Sequence, residues 1–176
     1  MDNIKERFRQ YQEAIETSNI VSKTDTNGTI TFVNDEFCKM SGFMREELIG
    51  ANHNIVRHPE VPKDVYARLW ETILAKKVHK GTIRNRTKDG RDVYLNTTII
   101  PILNLSGQIE EFLAIRYDVT DVINLNNELE KTKKELLNLN ENLENRVAEQ
   151  TAKLVNLNQN LENLVKAEIK KKSMKY

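Results

Sequence analysis

HKGTIRNRTKDGRDVYLNTTIIPILNLSGQIEEFLAIRYDV, residues 79–119, holds three extended runs separated by two turns. The runs are His79 to Thr87, Val93 to Leu103 and Ile109 to Val119, with turns at Lys88-Asp89-Gly90 and Asn104 to Gly107. β-Branched and aromatic residues fill the runs, and Gly, Asp, Asn and Ser fill the gaps, the pattern of successive antiparallel strands.

Upstream the strand signals shorten. Ile20 to Asp25 reads as a strand, Thr26-Asn27-Gly28 as a turn, and Thr29 to Asn34 as a second strand. Asn-Gly suits the positive φ of a tight hairpin. Asp35 to Met40 and Arg45 to Ile49 read as short helices ended by Gly42 and Gly50. Asn52 to Pro62, polar and with two prolines, resists regular structure. Lys63 to Lys76 reads as a longer helix with Val65, Leu69, Trp70, Ile73 and Leu74 on its inner face. The order of two strands, small helices and three strands predicts an α+β domain with an antiparallel sheet, helices on one face and a cavity between them.

The ends of the chain differ from this middle. Ile4, Phe8, Tyr11 and Ile15, spaced four, three and four, form one face of an amphipathic helix ending near Ser18. From Val122 onward there is no Gly, Pro, Phe or Trp. Val122, Leu125, Leu129, Thr132, Leu136, Leu139 and Leu143 alternate by three and four, as do Leu154, Leu157, Leu161 and Leu164. Eleven residues separate Leu143 from Leu154, with Val147 and Thr151 between them. That is a stutter, which locally unwinds a left-handed coil without breaking it. The expected divisions are 1–18 (N-terminal helix), 19–121 (the α+β domain) and 122–176 (a dimeric coiled coil).

The chain has 176 residues, 39% hydrophobic and 30% charged, with a net charge of +1. No global field draws it to nucleic acid or acidic lipid. Lys170, Lys171, Lys172 and Lys175 form a short basic end of the kind normally solvated. No apolar run is long enough to span a bilayer, and the first ten residues lack the apolar core of a signal peptide. A single cysteine, Cys38, excludes an internal disulfide and a multi-cysteine metal site. These features predict a cytoplasmic protein. No phosphate-cradling glycine loop, His-Glu-x-x-His or nucleophile elbow is present, nor the signature of a nucleotide cyclase or a kinase His-box, so no catalytic role is expected.

Longer strings add a resemblance. FVNDEFCKMSGF (32–43), EELIG (46–50), HNIVRHPEVP (53–62), Leu69-Trp70, IRNRTKDG (83–90) and the closing YDVTD (117–121) resemble the PAS family, and within it the PAS domain of bacterial aerotaxis receptors. The resemblance implies a PAS fold: a five-stranded antiparallel sheet flanked by short helices. It also implies FAD in the cavity and redox or oxygen sensing. Asp118 and Thr120 match the Asp-x-Thr junction before a signalling helix, which implies a relay role. LENRVAEQTAKLVNLNQNLE resembles coils that lead into histidine-kinase dimerisation segments, implying a homodimer formed through coil and N-terminal helix, with a kinase or chemoreceptor-type output. No nucleic-acid partner and no direct membrane span are expected.

A flavin needs a flat apolar slot, amide-like groups for its pyrimidine edge and cations for its pyrophosphate. Asn85, on a strand, and Asn34, at the end of one, suit the ring edge; Asn34 equally suits the cap of the helix at Asp35. Arg57 suits a phosphate, or a surface pair with Glu60 or Glu46. His53 and His58 are ligand contacts by resemblance, or turn residues bonding the backbone. Tyr66 and Trp70, one helical turn apart, wall the slot or serve as plain core. His79 stands where flavin-binding relatives commonly carry Trp, which opens an alternative: haem b held by His79. A third alternative is a cofactor-free relay module. Cys38 lies outside the Asn-Cys-Arg-Phe-Leu-like motif that a light-oxygen-voltage photoreceptor requires, and is expected to be buried as a small apolar residue.

Overall fold

The computed structural model describes residues 2–173. Lys175, at the end of the expected coil, lies outside them. Two compact units divide near Asn124.

In the first unit, helix α1 (Asp2–Ser18) precedes strands β1 (Ile20–Thr24) and β2 (Ile30–Val33). Short helices α2 (Asp35–Ser41) and α3 (Arg45–Leu48) follow, then a 3-10 turn over His53–Val56 and helix α4 (Lys63–Leu74). Strands β3 (His79–Arg86), β4 (Asp92–Leu103) and β5 (Ile109–Asp118) complete a five-stranded sheet ordered β2-β1-β5-β4-β3. Every neighbouring pair is antiparallel. The expected α+β class and strand order hold.

Two local departures have physical causes. The β1–β2 turn is wider than a two-residue hairpin, because the Asp25 carboxylate accepts from the backbone N–H of Asn27 and of Thr29 and organises a five-residue loop. Within that loop Gly28 takes φ 83°. Helix α4 stops at Leu74 because Lys76 adopts φ 62° and the Lys77 N–H returns to the Thr72 carbonyl, a Schellman closure. Its buried face is Tyr66, Leu69 and Ile73, and Leu74 is exposed instead.

Alternation along β4 and β5 turns Val93, Leu95, Thr97 and Ile99, with Phe112, Ala114 and Arg116, to one buried face. That face carries two apolar clusters. Phe37, Leu48, Val56, Leu95 and their neighbours form one under α2 and α3; Leu69, Ile73, Ile99, Phe112 and Ala114 form the other under α4.

Asn34 joins three elements. Its Oδ1 accepts from Val21 N (2.9 Å) and Phe37 N (3.0 Å), capping α2 and pinning β1. Its Nδ2 donates to Glu16 O and Asn19 O, both at 2.7 Å, and so fastens the end of α1. Both oxygen lone pairs and both amide hydrogens are thereby used inside the protein.

Helix α5 begins at Thr120 and runs unbroken to Ser173, through the stutter at Val147. Its first turn is tied to the sheet. Asp118 Oδ1 accepts from Thr120 N (2.8 Å), and Thr120 Oγ1 accepts from Tyr94 N (2.9 Å) at the start of β4. In the second unit the heptad residues Leu129, Leu136, Leu143, Leu154 and Leu161 are all exposed.

Replacing Asn34 removes a helix cap and strands two backbone donors and two carbonyl acceptors. Asn34→Ala is expected to lower the unfolding free energy by about 2–4 kcal/mol in denaturant titrations. A loss below about 0.5 kcal/mol, the usual range for a neutral surface change, would contradict this role.

Candidate functional site

Between the sheet and its covering segments lies a cavity of about 260 Å³, near the lower end of ordinary ligand pockets (roughly 300–1,000 Å³). Leu69 and Ile73 of α4 face Ile83, Ile99, Phe112 and Ala114 of the sheet across it. Trp70 forms one wall, edge-on to Phe112 with ring centroids 5.7 Å apart. The rim opposite Trp70 is Gly28, where an added Cβ would lie 3.0 Å from Trp70 Cζ2. Gly28 thus serves both its positive φ and this close approach.

Polar groups enter the slot from several sides. Asn85, on the edge strand β3, is only 6% exposed, and its amide has no hydrogen-bond partner among the described residues. The Tyr66 hydroxyl is buried with no partner, and burial pushes its pKa up. Such orphaned polar atoms are costly unless a ligand or water satisfies them. Arg57 is exposed at the rim, its guanidinium 3.7 Å from the Tyr66 ring centroid. Its backbone bridges to Asn85, so this loop is an extra edge of the sheet.

A further group escaped the sequence reading. Arg116, 4% exposed, projects from β5 into the cavity. Its Nη1 donates to Ser22 Oγ (2.9 Å), its Nη2 lies 3.0 Å from His53 Nε2, and the guanidinium sits 5.6 Å from the Phe37 ring centroid. Burial lowers its pKa to about 10. Arginine only donates, so His53 Nε2 is the acceptor and the ring proton resides on Nδ1. His53 meets Phe37 edge-on; burial first, and then the Arg116 charge, hold its pKa at about 3. The histidine is neutral across the physiological range. The readable signal was alternation: Phe112, Ala114 and Arg116 share the inward side of β5.

Of the expected contacts, His53, Arg57, Tyr66, Trp70 and Asn85 line this cavity. Three others do not. Asn34 is corrected to an internal cap, because its amide is saturated by Val21, Phe37, Glu16 and Asn19. His58, fully buried, lies outside the cavity lining: its Nδ1 accepts from Glu60 N (3.1 Å) and its Nε2 lies 2.9 Å from Asp92 Oδ1. Asp92 is held below the usual carboxylate range chiefly by Arg84. This pairing clamps the proline loop to β4. His79 sits at the start of β3, beyond the residues that enclose the cavity. His53 is the histidine of the cavity lining, and its Nε2 is engaged by Arg116; His79, the ligand of the haem alternative, is not among the lining residues. Cys38 packs half-buried beside the first core cluster, away from the cavity. The residues that do line the slot fit a flat, partly polar heteroaromatic.

A family model described as the PAS fold matches residues 6–119. The aerotaxis receptor of Escherichia coli (strain K12) is 35% identical over 102 residues, 58% of this chain and 20% of that protein. A nitrogen fixation regulatory protein of Klebsiella pneumoniae is 29% identical over 100 residues, 57% of this chain and 20% of its own length. The chain thus spans about a fifth of these relatives. Among solved structures, an RNA-binding light-oxygen-voltage receptor superposes with a TM-score of 0.63 at 18% identity, over 73% of this chain and 36% of that one. A light-oxygen-voltage domain from a blue-light-activated histidine kinase of Erythrobacter litoralis EL346 gives 0.55 at 20%, over 58% and 97%. At such identities the superpositions establish the shared fold.

The neutral, half-buried His53 makes stability pH-dependent. Its pKa is about 3 when folded against 6.5 for an unperturbed histidine, so between those values the unfolded chain binds a proton that the folded chain does not. Stability falls as pH drops through that window, by up to about 1.4 kcal/mol per pH unit. Between pH 7 and pH 5, His53→Gln is expected to lose about 2 kcal/mol less than the wild type in urea titrations. Equal losses in the two proteins would refute this assignment.

Proposed function

The chain belongs to the PAS family, and from that membership we propose that its sensory domain binds FAD in the cavity and reports redox state or oxygen through α5. The observation that carries the reading is the pairing of an apolar slot with the unpartnered Asn85 amide and Tyr66 hydroxyl. An amide is both donor and acceptor, as the pyrimidine edge of a flavin requires. Trp70, Ile83 and Ile99 supply flat apolar walls, and Arg57 stands at the open rim, suited to a pyrophosphate. With about 260 Å³ inside, the cavity suits the ring system, leaving the rest of a dinucleotide to run past Arg57. When bound, a flavin would supply a ring whose charge and hydrogen bonding change with its oxidation state. The similarity to an aerotaxis receptor supports redox sensing. The lack of any thiol among the cavity-lining residues favours it over thiol-based photochemistry.

The protein's part is to convert ligand state into strand geometry. Thr97, Ile99, Ala114 and Arg116 face the ligand from β4 and β5, the two strands that end at the Tyr94–Thr120–Asp118 junction. A shift in their pairing would reach the first turn of α5 directly. The exposed leucine stripe of α5 suits a second copy of the chain, and the exposed Ile4, Phe8, Tyr11 and Ile15 of α1 suit a place in the same homodimer. The stutter near Val147 is a place for two coil registers of similar energy, the two-state element that such coupling needs. In this reading the chain is a non-catalytic, cytoplasmic input module with a kinase or chemotaxis output. No helix among the described residues is long and apolar enough to cross a membrane.

Protein purified from flavin- and haem-replete cells should show the paired visible bands of an oxidised flavin, and heat extraction should release FAD. Asn85→Ala should weaken retention about tenfold, by loss of hydrogen bonds worth roughly 1–2 kcal/mol. A Soret band, or a featureless visible spectrum after flavin supplementation, would overturn the flavin reading. Sedimentation should give twice the 20.5 kDa chain mass, reverting to one chain for the double variant Leu129→Lys, Leu136→Lys. A wild-type monomer at tens of micromolar would remove the coiled-coil reading.

A further inference from the structure

Trp70 is the only tryptophan of the chain, and it walls the cavity. It is half-buried, and it lies close to Gly28 at the rim. Its indole N–H has no hydrogen-bond partner among the described residues. The ring therefore borders the slot and the solvent at once. Tyr66, one helical turn earlier on α4, is the other readily oxidised side chain of the lining, and the thiol of Cys38 lies outside it. The two aromatics differ as electron donors. The Tyr66 hydroxyl is buried without a partner, burial raises its pKa, and the Arg57 guanidinium lies 3.7 Å from its ring centroid. A phenol gives up its proton when it gives up an electron, and this one faces no base. A cation against the ring makes removal of an electron costlier still. An indole can lose the electron first and the proton afterwards, and no cation lies over Trp70 among the described residues.

We infer that Trp70 donates an electron to the light-excited flavin, so that blue light reduces the bound ring without a thiol and is a second input to the domain. This rests on the flavin reading above, in which Asn85 receives the pyrimidine edge. The Arg57 backbone bridges to Asn85 and its guanidinium covers Tyr66, so Asn85 and Tyr66 share one end of the slot. Trp70 stands one turn beyond Tyr66, about 6 Å along the helix axis, a shift shorter than three fused rings. A ring seated against Asn85 then has the indole beside its body. The electrons balance in two steps. One electron leaves the indole for the excited ring, and the indole N–H proton passes to water at the rim. A soluble thiol returns one electron to Trp70, with a proton from water. Two such cycles reduce the ring by two electrons and join two thiols in one disulfide; the protons end on the ring or in solution. Light would thus yield the same reduced ring as reducing conditions do, and α5 would report both.

The test compares wild type, Trp70→Phe and Trp70→Tyr, each purified with FAD bound and kept free of oxygen. Flavin emission is read first, then loss of the oxidised flavin band under blue light with dithiothreitol present, against a dark control. Wild-type emission should be weak and the band should bleach only in the light. Trp70→Phe should emit about tenfold more strongly and bleach about tenfold more slowly. Trp70→Tyr, which restores an oxidisable ring beside water, should recover part of both. Bright emission from the wild type, bleaching in Trp70→Phe as fast as in the wild type, or bleaching as fast in the dark would overturn the inference while leaving the flavin reading intact. If Trp70→Phe fails to fold or to hold FAD, a blue flash on the wild type decides alone: the transient absorption of an oxidised indole supports the inference, and its absence overturns it. A wild type that carries no flavin overturns both readings.

Discussion

The concave face of the sheet is covered by pieces too short to fill it. Helices α2, α3 and α4 have seven, four and twelve residues, and a 3-10 turn and a proline loop bridge the last gap. Close packing is therefore completed on either side, in the clusters around Phe37 and around Phe112, and left incomplete between them. Inward positions that border solvent-free space elsewhere carry Val and Leu; here they carry Ser22, Asn85, Thr97 and Arg116. The cavity and its polar lining follow from the same constraint.

Electrostatics within that space are one-sided. Its rim and its floor each hold an arginine, and its histidine is kept neutral by burial and by the nearer of the two. His53 and Arg116 are linked in this sense: the guanidinium that needs an acceptor also suppresses the protonation that would make the acceptor a competitor. Cations that are not meant to meet the ligand, such as Arg84 and Arg86, are drawn to Asp92 on the far side of His58. The acidic residue there belongs to the clamp and not to the slot.

Most of the fold was legible because it depends on local signals. Turn glycines, the prolines at 59 and 62 and the period of two in β4 and β5 mark the elements to within a residue or two. The long C-terminal helix was legible because its leucines repeat without any need of a folded context. The cavity was legible in part. Asn85, Arg57, Tyr66, Trp70 and His53 line it, while Asn34, His58 and His79 lie outside its lining. Asn and His satisfy backbone groups as readily as ligands, and only the register decides which: Asn34 sits where three chain segments converge, and His58 follows Arg57 by one residue and so faces the opposite way. Arg116 was missed because an arginine near a strand end reads as a surface residue unless its parity with Phe112 is followed.

The cavity has a bearing on how much of the protein persists. Volume left unfilled in a sealed protein interior costs on the order of 24 cal/mol per Å³, against about 5–15 kcal/mol for the whole stability of an ordinary domain. A ligand seated in the roughly 260 Å³ beneath α4 would therefore stabilise the fold that holds it. Chains made when the occupant is scarce would spend longer open, and proteases act on the open form. On the flavin reading, cofactor supply would in this way set the abundance of the protein as well as the state of each copy.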